Sequence, residues 1–167
     1  MTLDELNRLD QAGFVGALAG IYEHSPWVPE GAWSRRPFAS VTELHAAMAE
    51  VVTNAGRERQ LGLIRAHPEL AGKAMVQKSL TADSRAEQSG AGLTQCSPDE
   101  FAQLQDLNAR YNAKFGFPFI LAVKGYDRLG VIAEFARRIR NVPDVEFAEC
   151  LRQIDKIAML RLETQIT

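Results

Sequence analysis

Several things are scarce in this sequence, and each scarcity closes off a class. Cysteine occurs twice, at Cys96 and Cys150, far apart and without metal-ligand spacing. That excludes a disulfide framework and a zinc ribbon and leaves two free thiols, as in a cytoplasmic protein. Histidine occurs three times, at His24, His45 and His67, with no pair at helical metal-binding spacing. No carboxylates follow a calcium-loop pattern either, so no metal is expected. No apolar run approaches the length of a membrane span. An excess of basic charge is also missing: 19 Lys and Arg stand against 21 Asp and Glu, for a net charge of −2. A nucleic-acid partner, which asks for a basic face, is therefore not expected. The N-terminus Met1-Thr2-Leu3-Asp4-Glu5 lacks the basic and apolar regions of a signal peptide. There is no internal repeat, no low-complexity segment and no glycine-rich phosphate loop after a strand.

What is present is ordinary globular material, 46% hydrophobic and 24% charged. A chain of 167 residues suits one domain, residues 1–167. At this size roughly 70% of the unfolded surface is buried on folding, so a core forms without cross-links. Helix signals follow one another along the chain. Thr2 and Glu5 are spaced as a capping box, as are Ser40 and Glu43, and Asp10, Asp127 and Thr81 or Asp83 stand as caps ahead of periodic segments. Ser97-Pro98-Asp99-Glu100 combines a cap, a proline at the first helical position and a glutamate at the third. The stretch 25–38 holds three prolines, one glycine and two tryptophans and is expected to be a long ordered loop. The state of residues 71–79 is left open. Only Phe117-Pro118-Phe119-Ile120-Leu121-Ala122-Val123 is β-like in composition, and one strand makes no sheet. The fold class is therefore all-α, a compact single-domain multi-helix bundle with one extended buried segment at 117–123. The backbone N–H and C=O groups of that segment need partners other than a sheet ladder.

Three places carry candidate chemistry. In Ile64-Arg65-Ala66-His67-Pro68 the proline stops a helix at or near His67. The imidazole there is either a general acid or base or a core histidine satisfied by a backbone carbonyl. Ser84, Glu87 and Gln88 share one helix face, followed by the glycines of Ser89-Gly90-Ala91-Gly92. That face is either a ligand-binding surface or a solvated polar stripe. In the last helix Phe147, Leu151, Ile154, Ala158 and Arg161 step by four and three, so an apolar stripe runs into a guanidinium. Arg161 then either meets a buried partner or snorkels to solvent. Arg137, Arg138 and Arg140 read as a solvated basic face.

Three ordered sets of residues carry a family resemblance. They are His67-Pro68-Glu69-Leu70-Ala71-Gly72; Ser84-Arg85-Ala86-Glu87-Gln88 with Ala91-Gly92-Leu93; and Tyr111-Asn112-Ala113-Lys114-Phe115-Gly116-Phe117-Pro118-Phe119-Ile120 with Val123-Lys124-Gly125. Together, and over essentially the whole chain, they resemble 2-oxo-4-hydroxy-4-carboxy-5-ureidoimidazoline (OHCU) decarboxylases. The resemblance implies an all-α, cofactor-free carboxy-lyase, typically a homodimer. It would convert a small ureidoimidazoline to (S)-allantoin and carbon dioxide in urate breakdown. It places the catalytic roles on His67, Glu87 and Arg161. Substrate contacts would come from Pro68, Ser84, Gln88 and the backbone of Phe119, Ile120, Leu121, Ala122 and Val123. Those backbone groups would then find their partner in the ligand. The chain ends Thr164-Gln165-Ile166-Thr167, which is not a peroxisomal signal, so a stand-alone cytoplasmic enzyme is expected. The rivals are a non-catalytic helical module binding a ureide or a partner protein, and a hydrolase of a related ureide, which would release no carbon dioxide.

Overall fold

Short polar side chains ahead of apolar periodicity start most of the helices, because they accept from backbone N–H groups that the first turn leaves without a partner. Thr2 opens α1 (Leu3–Arg8) in a capping box with Glu5, and Asp10 opens α2 (Gln11–Ala17) by accepting from Gly13. After α3 (Trp27–Ala32), Ser40 opens α4 (Val41–Asn54), and α5 (Arg57–Ala66) follows. A single turn, α6 (Lys73–Val76), precedes α7 (Ala82–Gly90), which Thr81 caps. Ser97 and Glu100 form the capping box of α8 (Pro98–Phe115), and Asp127 caps α9 (Arg128–Arg138). The chain closes with α10 (Pro143–Gln165). This computed structural model describes residues 1–167, the side chains of Lys73 and Ala74 excepted. Among the described residues there is no strand, and the fold is all-α.

The stretch 25–38 departs from the loop expected of it. It holds α3 and a 3-10 turn at Trp33–Arg35. Its prolines do not break the helix because Pro26 sits at the cap and Pro29 in the first turn, where the missing N–H would have had no helical acceptor. Gly31 serves packing rather than a turn. A Cβ there would lie 2.7 Å from Cγ1 of Val51, where α3 packs on α4. Arg36 then ties the segment down: its guanidinium lies 4.3 Å from the Trp33 ring centroid and donates to the carbonyls of Asn7 and Leu9.

By its internal contacts the chain falls into two compact units, Met1–Ala66 with Ile154–Thr167, and His67–Gln153. The first, the terminal unit, has a core that includes Phe14, Leu18, Val28, Leu44, Met48 and Leu162, all fully buried. The second, the central unit, is built around Tyr111, Phe119 and Phe135. The last two rings stack at 3.9 Å between centroids, and Tyr111 meets both edge-on. Helix α10 supplies residues 143–153 to the central unit and 154–165 to the terminal one.

Residues 117–123 are in neither helix nor strand and are buried, apart from the half-buried Ala122. Part of their backbone is satisfied by side chains of the central unit. Arg138 donates to the Ile120 carbonyl at 2.5 Å, the Ala122 N–H donates to Oε1 of Gln153 at 3.0 Å, and the Cys150 thiol faces the Pro118 carbonyl at 3.8 Å. Arg138 is thus no solvated residue: its side chain is 0% exposed. The stripe Val131, Phe135, Arg138 steps by four and three into a guanidinium, the same signal that singled out Arg161.

Candidate active site

Helix α5 ends at Ala66, and His67 and Pro68 follow at once, as the proline requires. The His67 side chain is 6% exposed, so it is held rather than solvated. The loop after it is tight. Ala71 is fully buried with φ of +51°, a left-handed conformation that costs an alanine about 1–2 kcal/mol. A Cβ on Gly72 would come within 2.6 Å of Cβ of Glu69, so only glycine closes this turn without displacement.

Side-chain amides hold the loop in that shape. Three consecutive carbonyls each accept one amide N–H: Glu69 from Gln88 at 3.3 Å, Leu70 from Asn108 at 2.9 Å, and Ala71 from Gln105 at 2.7 Å. The Ala71 N–H donates to Oε1 of Gln88 at 2.9 Å. Asn112 donates to the Glu69 carboxylate and to the Asn108 carbonyl. Gln105, Asn108 and Asn112 are three and four residues apart and so share one face of α8. Buried carbonyls in an irregular loop must find donors, and here two helices supply them.

Sequence reasoning missed Gln105, Asn108, Asn112 and Glu69. The available signal was a polar stripe beside Leu104, Leu107 and Tyr111 on a strongly periodic helix. The face of α7 that it did single out is not a solvated stripe. Ser84 and Gln88 are 3% and 2% exposed, and Glu87 is half-buried. His67, Pro68, Ser84, Glu87, Gln88 and the segment 119–123 all belong to the central unit.

Arg161 belongs to the terminal unit, and there it does not snorkel. It is 4% exposed and donates to the Gly20 carbonyl at 2.8 Å and to Glu23 at 2.9 Å, itself a buried carboxylate. Glu23 was not recognisable in advance, because it lies in the turn after α2, outside any periodic pattern. The same unit holds a second buried polar group. Tyr22 donates to Asp155 at 3.2 Å, and Nε2 of His45 lies 2.9 Å from the Asp155 carbonyl. Burial pushes the Asp155 carboxyl above its ordinary range against the opposing pull of Tyr22 and His45, and burial beside Asp155 pushes the Tyr22 phenol up.

Beneath the 117–123 segment lies a buried charge cluster. Glu146 is 0% exposed, pairs with Arg138 at 2.9 Å, and accepts from Tyr111 and from Asn141. Burial works against the Arg138 charge, but the bonds to Glu146 outweigh it and hold the guanidinium above its ordinary pKa. Burial likewise raises the Cys150 thiol, which leaves it a packing group rather than a thiolate nucleophile. Among the described residues no three His, Cys, Asp or Glu side chains are grouped to hold a metal ion, and no helix is long and apolar enough to cross a membrane.

Comparison with known proteins gives concordant results. The family model described as OHCU decarboxylase matches residues 7–163. A 2-oxo-4-hydroxy-4-carboxy-5-ureidoimidazoline decarboxylase of Haloferax volcanii is 44% identical over 97% of this chain and 94% of its own length. The uric acid degradation bifunctional protein PucL of Bacillus subtilis is 39% identical over 99% of this chain, which spans 33% of that protein. Among solved structures, a crystal structure of (S)-allantoin synthase superposes with a TM-score of 0.80 at 29% identity, over 99% of this chain and 54% of that one.

Proposed function

The chain belongs to the OHCU decarboxylase family, and on that premise we propose that it converts 2-oxo-4-hydroxy-4-carboxy-5-ureidoimidazoline to (S)-allantoin and carbon dioxide in urate breakdown, as a carboxy-lyase. The observation that carries this reading is the near-full-length similarity to proteins bearing that name.

The substrate's name fixes the chemistry to be done. One ring carbon carries both the hydroxyl and the carboxylate, and its neighbour carries the ureido group. The bond to the carboxylate breaks, and carbon dioxide leaves. The electron pair left behind forms a double bond to the ureido-bearing carbon, and the ring imine nitrogen takes up the displaced pair and a proton. The hydroxyl then loses its proton to become a carbonyl while the ureido-bearing carbon gains one. The face of that last delivery sets the (S) configuration. Because the ring imine is the electron sink, the proposal needs no metal or organic cofactor.

His67 is the proton-transfer residue in this proposal, since imidazole is the side chain that exchanges protons nearest neutral pH. Glu87 accepts the hydroxyl hydrogen bond and steadies the imidazole. Arg161 binds a substrate carbonyl or carboxylate, with its charge balanced by Glu23. Pro68, Ser84, Gln88 and the backbone of 119–123 complete the substrate contacts. Gln88 has one N–H and one lone pair for this beyond its two bonds to the loop. A cytoplasmic homodimer without nucleic-acid or membrane partners completes the reading.

The test generates the substrate in situ from urate and follows allantoin by circular dichroism. Uncatalysed decay gives racemic allantoin, so optical activity reports catalysis alone. Wild-type protein should yield an excess of the (S) product and His67→Asn should not. No (S) excess with wild-type protein would refute the assignment, and full activity in His67→Asn would refute the mechanism.

A further inference from the structure

Side chains of the central unit meet the polar groups of the loop after His67 one by one. Three successive carbonyls, 69 to 71, are each met by an amide N–H, from Gln88, Asn108 and Gln105 in turn. The Ala71 N–H is met by Gln88, and the Glu69 carboxylate by Asn112. The conformation so held is one an alanine avoids, with φ of +51° at Ala71. A loop free to relax would leave that region. The loop begins one residue after the imidazole, and Pro68 between them allows little rotation. Fixing the carbonyls at 69, 70 and 71 therefore fixes the backbone from which His67 projects. A proton delivered to one face of a ring depends on such placement, and an error near 1 Å costs about a hundredfold in rate.

We propose that Gln105, Asn108 and Asn112, on one face of α8, are positioning residues for His67: they hold its loop in a strained shape and so orient the imidazole for proton transfer. The inference rests on the reading of His67 as the proton-transfer residue. These three side chains act through the loop, and no direct contact with substrate is assigned to them.

Gln105 offers the cleanest test, because it lies on an exposed part of α8 while its amide reaches the Ala71 carbonyl. Gln105→Glu replaces the donor with a repelling oxygen at nearly constant shape. Gln105→Lys restores an N–H donor. Asn108→Ala removes the buried donor to Leu70. The chain has only three histidines, so a spectrum of protein labelled with 15N-histidine carries three pairs of ring-nitrogen signals, and His67→Asn identifies the relevant pair.

In Gln105→Glu and Asn108→Ala the His67 signals should shift or broaden while those of His24 and His45 stay in place. The kcat should fall about 10- to 100-fold, with KM changed by less than about threefold, because the loss concerns the reacting geometry rather than uniform binding. Gln105→Lys should recover most of the rate lost in Gln105→Glu. A wild-type kcat in both Gln105→Glu and Asn108→Ala overturns the inference. So does a joint movement of all three pairs of histidine signals, which would make the amides supports of the fold at large. If His67→Asn is inactive while the α8 variants are fully active, the positioning role alone fails. If His67→Asn keeps full activity, the reading beneath it fails as well.

Discussion

Arg138 and Glu146 allow the packing account to be tested by magnitude. Both are 0% exposed, and Arg138 also holds the Ile120 carbonyl. Arg138→Met keeps most of the side-chain volume and removes the charge. Breaking a buried pair from one side costs about 3–5 kcal/mol, because the other charge stays buried without compensation. The Ile120 carbonyl, left without its donor, adds about 1–3 kcal/mol. The single variant should therefore lose about 4–8 kcal/mol, close to the whole stability of a typical domain. For a chain of this length each kcal/mol lowers the melting temperature by about 2–4 °C. Arg138→Met/Glu146→Gln removes both charges yet keeps an acceptor for Tyr111 and a partner for Asn141. The Ile120 carbonyl then stays unsatisfied, which costs about 1–3 kcal/mol, and the double variant should lose less than the single one. Urea unfolding followed by far-UV circular dichroism gives both values, and an unchanged slope shows that the unfolded states are comparable. A loss below about 1 kcal/mol in the single variant, or a double variant no more stable than the single one, would refute the reasoning.

Three further outcomes can be measured. Under the proposed roles of Glu87 and Arg161, Glu87→Gln and Arg161→Ala should each lower (S)-allantoin production at least about tenfold, and the dichroism assay reads this directly. Gly31→Ala should destabilise by about 1–3 kcal/mol, since its Cβ would meet Val51 at 2.7 Å, and Val51→Ala in the same chain should restore part of the loss in a melting experiment. Asp155 should show a pH signature. Its carboxyl pKa lies above the ordinary value of 3.8, chiefly through burial, so between those two values the folded chain holds a proton that the unfolded chain has released. The stability this group contributes is present below the unfolded value and is lost as pH rises through the folded one. Asp155→Asn cannot ionise, and its stability relative to wild type should rise as pH increases from the ordinary carboxyl value through the raised folded one; a difference that stays flat with pH would contradict the assigned cause.

Parts of the site were legible in the sequence and parts were not, for reasons that attach to particular residues. Proline restricts its predecessor locally, so the helix end at Ala66 followed from Pro68 alone. The stripe leading to Arg161 left open whether the charge is buried or reaches solvent and gave no sign of its counter-ion, because Glu23 lies well over a hundred residues away in a turn. The equivalent stripe leading to Arg138 was hidden by its neighbours Arg137 and Arg140, both exposed. The stretch 25–38 looked like loop by its proline count, yet a helix's first turn tolerates proline and α4 gives the glycine a reason.

The sequence by itself determined the all-α class, the starts of the capped helices, and the family, since caps, periodicity and ordered motifs are local properties that survive without a fold. Only the tertiary structure decided which polar groups bond to which. The carbonyls of 69 to 71 meet amides from α7 and α8, and the extended segment rests on Arg138 and Gln153. Every buried polar group needs a partner, but the chain carries many more donors than any one acceptor uses. Which donor serves which acceptor is a matter of distance, and distance does not exist until the helices have packed.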